Sequence, residues 1–357
     1  MYHKCSIVII FLFFSITSFG QIFSEDESEE NMSVKTTNYK ANKIVATQIR
    51  DSIFMLKGRG GNIGVSIGED GVLVIDSQFP DASADIIERL QSLSQKPIKL
   101  LVNTHHHGDH VGGNSNLALE GALIFSHEKA RSRMAATYMK ATKEKYQNKI
   151  DSIIDAQGSK ISSVETRNIA TKDAEKILGT IEENMSIPEG TLAVVSFSKD
   201  LTLHFNGEKI MVIHVPNAHT DGDAMLYFTK SNVLHTGDAF VKDMYPYIDS
   251  ENNGSLNGYI IGLQKIIGLI NTETKIIPGH GAIATIDDVS YTYNMIRFLN
   301  DRIALEVVQR KTEDQVASMS ELTKEYDNKG FGEGFVTTEK FVRTLYQELS
   351  KKYKKRD

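Results

Sequence analysis

The sequence predicts a layered α/β domain. Three observations carry that expectation. Short apolar runs alternate with segments of helical periodicity between positions 63 and 126, more strand-like runs follow position 200, and polar residues crowd at the ends of these runs. A β–α–β–α rhythm of this kind builds helices onto the faces of a sheet.

The elements follow in order. The chain opens MYHKCSIVIIFLFFSITSFGQ, with Lys4 ahead of an apolar run from Ile7 to Phe14 and with Ser18 and Gly20 as small residues at plausible cleavage positions. This reads as a signal peptide over 1–20, because the run is short of the roughly 20 apolar residues that span a bilayer. The mature protein is then expected in the periplasm or outside the cell, with no stable membrane anchor. Cys5, the single cysteine, precedes the apolar run, so the mature chain would hold no disulfide and no thiolate ligand. Residues 21–43 carry five acids between Glu25 and Glu30 and few large apolar residues, the composition of a solvated linker.

From about Ile44 the pattern is globular, and a main domain over 44–289 is expected. Segment NIGVSIG alternates as a half-buried strand does, EDG turns the chain, and VLVID reads as a buried strand ending at Asp76. Pro80 and Asp81 open a helix with Ile86, Ile87, Leu90 and Leu93 on one face. IKLLVNT and ALIFS are the next strands. Residues 128–186, rich in Lys, Glu, Ala and Met, read as a helical insertion over one end of the sheet, a packed surface helix pair rather than a lid. Strands resume at LTLHF; Asn206-Gly207 makes a hairpin turn, and KIMVIHV, AMLYF, NVLHTGD and KIIPGHG follow. Residues 290–357 read as a helical extension with a glycine-rich break at NKGFGEGF.

The net charge of −6 and the absence of a basic stripe before the tail KKYKKR disfavour nucleic-acid binding, which needs clustered Lys and Arg. GRGG, Gly58 to Gly61, reads as a hairpin turn rather than a mobile loop; its glycine spacing does not fit a dinucleotide fingerprint.

The chemistry lies in LLVNTHHHGDHVGGN. His105, His107, Asp109 and His110 form H-x-H-x-D-H. In extended chain alternate side chains point the same way, so His105 and His107 can reach one ion, and after a bend at Gly108, Asp109 and His110 can face a second. His106 lies on the other phase. Imidazole with carboxylate suits zinc and similar divalent metals. His219, Asp238 and His280 each follow an apolar strand, where ligands collect in α/β sheets. His127, His204, His214 and His235 lack a clustered partner and read as ordinary core or surface histidines.

THHHGDH, AHTDGD, HTGD and PGHG, in this order, resemble the metallo-β-lactamase superfamily over roughly Ile44 to Val289. The resemblance implies a four-layer αββα sandwich with a two-metal site, two Zn2+ per chain. It implies that His105, His107 and His219 hold the first zinc, that Asp109, His110 and His280 hold the second, and that Asp238 bridges them. Asp76 would orient a ligand histidine. Specialist lactamases of the B1 type carry a cysteine where this chain has Asp238, and a lysine three residues later; here Lys242 comes four later. Glyoxalase II enzymes share the aspartate but typically have a further histidine where this chain reads HTDGD.

The expected activity is hydrolysis of an amide, lactam, lactone or ester in a small-molecule substrate by a metal-bound hydroxide, with Asp109 steering or accepting the proton. A class B β-lactamase is the leading alternative, with weak or no β-lactam turnover expected because of Asp238. A persulfide-dioxygenase-like enzyme with one iron, or a non-catalytic metal module, are the others. The oligomeric state stays open.

Overall fold

The computed structural model describes residues 44–158, 179 and 186–354. The signal-peptide and linker readings, and much of the second half of the expected insertion, lie outside the described residues. Among the described residues no helix is long and apolar enough to cross a membrane.

Two mixed sheets form the centre. The first has seven strands in sequential order: β1 (Val45–Arg50), β2 (Ile53–Lys57), β3 (Ile63–Gly68), β4 (Gly71–Ile75), β5 (Ile98–Val102), β6 (Leu123–His127) and β7 (Val195–Phe197). β1 to β4 pair antiparallel; β4 to β7 pair parallel. The second contains β8 (Leu201–Phe205), β9 (Glu208–Val215), β10 (Asp223–Phe228), β11 (Val233–His235) and β12 (Lys275–Ile277), antiparallel except for the β11–β12 pair.

Alternation along the strands assigns side chains to layers. On β4, Val72 and Val74 join the cluster shared with Ile86 and Leu90 of helix α1 (Ser83–Leu93), while Leu73 and Ile75 join the cluster between the sheets. On β9, Ile210 and Val212 face the first sheet, and Ile213 and Val215 face helices α4 (Leu256–Leu269), α5 (Ile286–Val308) and α6 (Thr338–Lys354). The order is therefore α, β, β, α, the four-layer sandwich. Its middle is dry: Leu73, Leu226 and Phe228 are fully buried there, and truncating one of them to Ala should cost about 2–5 kcal/mol.

Several local features differ from the simplest reading of the sequence. β3 is not half-buried; Ile63 to Ser66 are buried on both faces, because a helix layer covers one side and the second sheet the other. GRGG does connect the β2–β3 hairpin, but it is wedged against the H-x-H-x-D-H segment. Helix α3 (Glu128–Gly158) begins the expected insertion and is anchored by buried Ala130, Met134 and Ile150. Helix α5 starts at Ile286 with a capping box from Thr285 and Asp288. The C-terminal helices share one core with the second sheet; on α6, Phe341, Val342, Leu345 and Leu349 supply the buried stripe. At Asn206-Gly207 both residues have positive φ, 55° and 70°, as the hairpin turn requires.

Candidate metal centre

Five strand ends converge at one edge of the sandwich. Asp76 follows β4 with φ of 65°, fully buried. After β5 the chain bends at Thr104 and His105 and is extended again at His107, with φ −69° and ψ 146°. A single helical turn, α2 (Gly108–Val111), then swings Asp109 and His110 round. His219 lies beyond β9, Asp238 in the turn after β11, and His280 beyond β12.

The seven donors fall into two groups. His105, His107 and His219 place ligand atoms within 4.8 Å of one another, as do Asp109, His110 and His280. Asp238 stands between them. Its Oδ2 is 3.6 Å from His219 Nε2 and 4.0 Å from His105 Nε2; its Oδ1 is 3.3 Å from His110 Nε2 and 3.6 Å from His280 Nε2. Asp109 Oδ2 is 3.2 Å from His280 Nε2. Two glycines permit this approach. A Cβ on Gly61 would strike the His110 ring, and one on Gly279 would strike Asp238 Oδ1.

Proton accounting shows what the cluster fits. His107 Nε2 donates to Asp249 Oδ2 at 2.8 Å, so its Nδ1 keeps a lone pair. His219 Nδ1 donates to the Tyr247 carbonyl at 2.7 Å, leaving Nε2 as a lone pair. His110 Nδ1 donates to Asp76 Oδ2 at 2.8 Å. Thr104 Oγ1 donates to Asp76, so it accepts from His105 Nδ1 at 3.0 Å. In their neutral forms these four rings therefore turn a lone pair inward. His107 Nδ1 and His219 Nε2 face each other at only 2.8 Å, a contact that two lone pairs would repel and a shared cation would stabilise. His105 Nε2 and Asp238 Oδ1 are buried without hydrogen-bond partners. Orphaned buried atoms demand an explanation, and a divalent cation held by these side chains would supply one.

The electrostatics of the two groups differ. Burial lowers His105 well below its ordinary value and takes His219 down to about 4. Burial also opposes the charged form of His110 and His280, but carboxylates outweigh it. Asp238 and Asp76 raise His110 well above normal, and Asp238 and Asp109 raise His280 to about 9. Asp238 is buried, which raises its pKa, yet the His110 and His280 charges hold it well below the carboxylate range. The field at this end of the cluster favours a cation.

Two residues escaped the sequence reading. Asp249 accepts the His107 proton and is itself held by Asn252 N and Nδ2. Arg133 of α3 grips Asn252 Oδ1 at 2.6 Å and both oxygens of Asp221 at 2.8 Å, tying the insertion to the loop that carries Asp249. Nothing local marks Asp249, because its partner lies 142 residues away. The C-terminal region also reaches the site: Gly334, Phe335 and Val336 line a cleft of about 570 Å³ together with His107, Asp109, His219, Asp238 and His280.

The remaining histidines lie elsewhere. His106 is buried against His107 and Asp249, outside both donor groups, with its pKa lowered by burial to about 3. His235 is satisfied by Asn62 O and Gly237 N. His127 and His214 stack at 3.9 Å. His204 joins none of the candidate ligand groups found among the described residues.

Known proteins match this description. The model of the metallo-beta-lactamase superfamily matches residues 56–280. The chain is 21% identical over 273 residues to a linear primary-alkylsulfatase from Pseudomonas sp. (strain ATCC 19151), covering 73% of this chain and 46% of that protein, so it spans under half of that relative's length. Among solved structures, a double mutant of the sec-alkyl sulfatase PisA1 matches with TM-score 0.60 at 15% identity, over 85% of this chain and 50% of that one. A metallo-beta-lactamase from Pontibacter korlensis matches with TM-score 0.50 at 14% identity, over 71% of this chain and 99% of that one. At such identities the structural likeness is one of fold alone. The family match spans well over half of the 357 residues, and the chain belongs to the metallo-beta-lactamase superfamily.

Proposed function

We propose that the protein is a binuclear zinc-dependent hydrolase of small-molecule esters, sulfate esters included, with lactones and amides as neighbouring substrates. The observation that carries this reading is the pair of donor groups facing the two oxygens of one carboxylate, Asp238. His105, His107 and His219 would hold one ion, Asp109, His110 and His280 the other, and Asp238 would bridge them. When bound, such ions supply Lewis acidity and lower the pKa of water toward neutrality.

The rest of the work falls to the chain. Asp109 is held ionised by His280 and His110 against the opposing effect of burial, and its side chain remains partly open to the cleft. It is the group placed to take or steer a proton from the attacking water. Asp76 fixes the His110 ring and, through Thr104, the His105 ring. The alkylsulfatase relatives motivate sulfate esters as the first class to try.

β-Lactam hydrolysis is the less favoured reading. Lys242 is engaged by Asp288 at 3.0 Å and by the Ile283 carbonyl at 3.2 Å, so its ammonium does not stand ready for a drug carboxylate. The apolar run at 7–14 motivates export, and the mature N-terminus is expected near Gln21. The test is metal analysis of the purified protein with a panel of sulfate esters, carboxylic esters, lactones, thioesters, phosphodiesters and β-lactams. Two zincs per chain with chelator-sensitive ester turnover is the expected result. One iron per chain with no hydrolysis would sink the proposal.

A further inference from the structure

The cleft above the donors has one wall that comes partly from outside the residues matched by the family, at positions 56–280. The loop after Asp238 contributes Val241 and Met244, and the C-terminal region contributes Phe335 and Val336. These side chains are apolar, whereas the floor is built of imidazoles and carboxylates. A cleft that is polar at the reacting end and apolar along one side suits a substrate with the same division.

The wall is anchored, not loose. Tyr245 stacks on Phe341 of α6 at 4.6 Å, donates its hydroxyl to Asp327 at 2.9 Å, and donates its backbone N–H to the Phe331 carbonyl at 3.3 Å. Phe331 and Val336 are both buried. Between them Phe335 is 78% exposed and lines the cleft. Its ring is nevertheless set in place: it meets Tyr247 edge-on at 5.6 Å, and Lys340 Nζ sits 4.1 Å from the Phe335 centroid and 4.8 Å from that of Tyr247. Tyr247 in turn lies 6.0 Å from the His107 ring and 5.8 Å from the His219 ring. A continuous aromatic path thus leads from the donors to the cleft mouth.

We propose that Gly334–Val336 is a substrate-binding wall, and that Phe335 sets a preference for substrates carrying a long linear apolar chain on the ester. Lys340 is a positioning residue that holds the Phe335 and Tyr247 rings side by side. The proposal rests on the hydrolase reading for the chemistry at the floor, but the wall can be tested without turnover.

Alkanesulfonates from butane- to decanesulfonate are non-hydrolysable probes of the sulfate-ester head group, and the matching carboxylates probe the other. Titration calorimetry on the full-length, metal-loaded protein is expected to show decanesulfonate binding about tenfold or more tighter than butanesulfonate. Phe335→Ala should flatten that slope, Phe335→Tyr should keep it, and Lys340→Ala should reduce it while Lys340→Arg restores it. Metal content and Tm should match wild type in all four. The same slope is expected in kcat/KM over alkyl sulfates and acyl esters of increasing chain length. A slope with sulfonates but not carboxylates would assign the sulfate ester, and the reverse would assign the carboxylic ester. A full slope retained in Phe335→Ala, or no slope in wild type, overturns the wall. Slope in binding with no turnover of any ester would support the wall and overturn the hydrolase reading instead.

Discussion

The two halves of the donor cluster use the same side chain to opposite electrostatic ends. In the His105, His107 and His219 half, each ring is backed by a hydrogen-bond acceptor, and burial depresses His105 and His219. In the Asp109, His110 and His280 half, Asp76, Asp109 and Asp238 surround the rings, and both histidines are raised. The first half is an imidazole pocket, and its His107 and His219 line the cleft. The second is an anionic pocket; its Asp109 and His280 are each about a quarter exposed, as His107 is. Burial alone lowers a histidine; burial beside carboxylates raises it.

The sharpest test removes what the halves share. Asp238→Ala takes an oxygen from each, so zinc should fall below one per chain and kcat/KM should drop by about a thousandfold or more, the scale of several kcal/mol that metal assistance supplies. Retention of two zincs would show that the halves do not depend on the bridge.

Single-half variants come next. His107→Ala and His280→Ala should each remove one ion and abolish ester turnover, whereas His106→Ala, outside both donor groups, should leave the stoichiometry at two. Inductively coupled plasma mass spectrometry decides it, and two zincs in His107→Ala would refute the assignment.

The residues behind the rings should discriminate more finely. Asp249 touches only the imidazole half, so Asp249→Asn should weaken one ion by about 10–100-fold and spare the other. Asp76→Asn should weaken both, because Asp76 holds His110 directly and His105 through Thr104. Competition titration with a zinc indicator separates one affected site from two. In wild type, graded chelation should empty the two halves at different chelator concentrations; simultaneous loss of both ions would count against unequal halves.

The smallest effect concerns the clamp behind the imidazole half. Arg133→Gln should cost about 1 kcal/mol, since the Arg133–Asp221 pair is partly solvated, and should lower Tm by about 1–2 °C for a chain of this size. Differential scanning calorimetry reads this, and an unchanged Tm would remove the clamp from the account.

Much of this was legible before folding. Short apolar runs marked every strand except β1, β2 and β7, Asn206-Gly207 marked its hairpin, and the H-x-H-x-D-H spacing singled out three donor histidines while setting His106 aside. These are local signals: side-chain alternation and turn chemistry act over a few residues, so the sequence alone determines them. Strand ends also localised His219, Asp238 and His280, because connections follow strands. The tertiary structure alone decided the rest. Asp249 reaches His107 across 142 residues, Arg133 reaches Asn252 across 119, and Phe335 meets Tyr247 only because Tyr245 anchors the C-terminal region. The burial of both faces of β3 and the opposite pKa shifts of like residues belong to this second class. Burial and Coulomb fields sum over neighbours in space, and a chain lists its neighbours only in order.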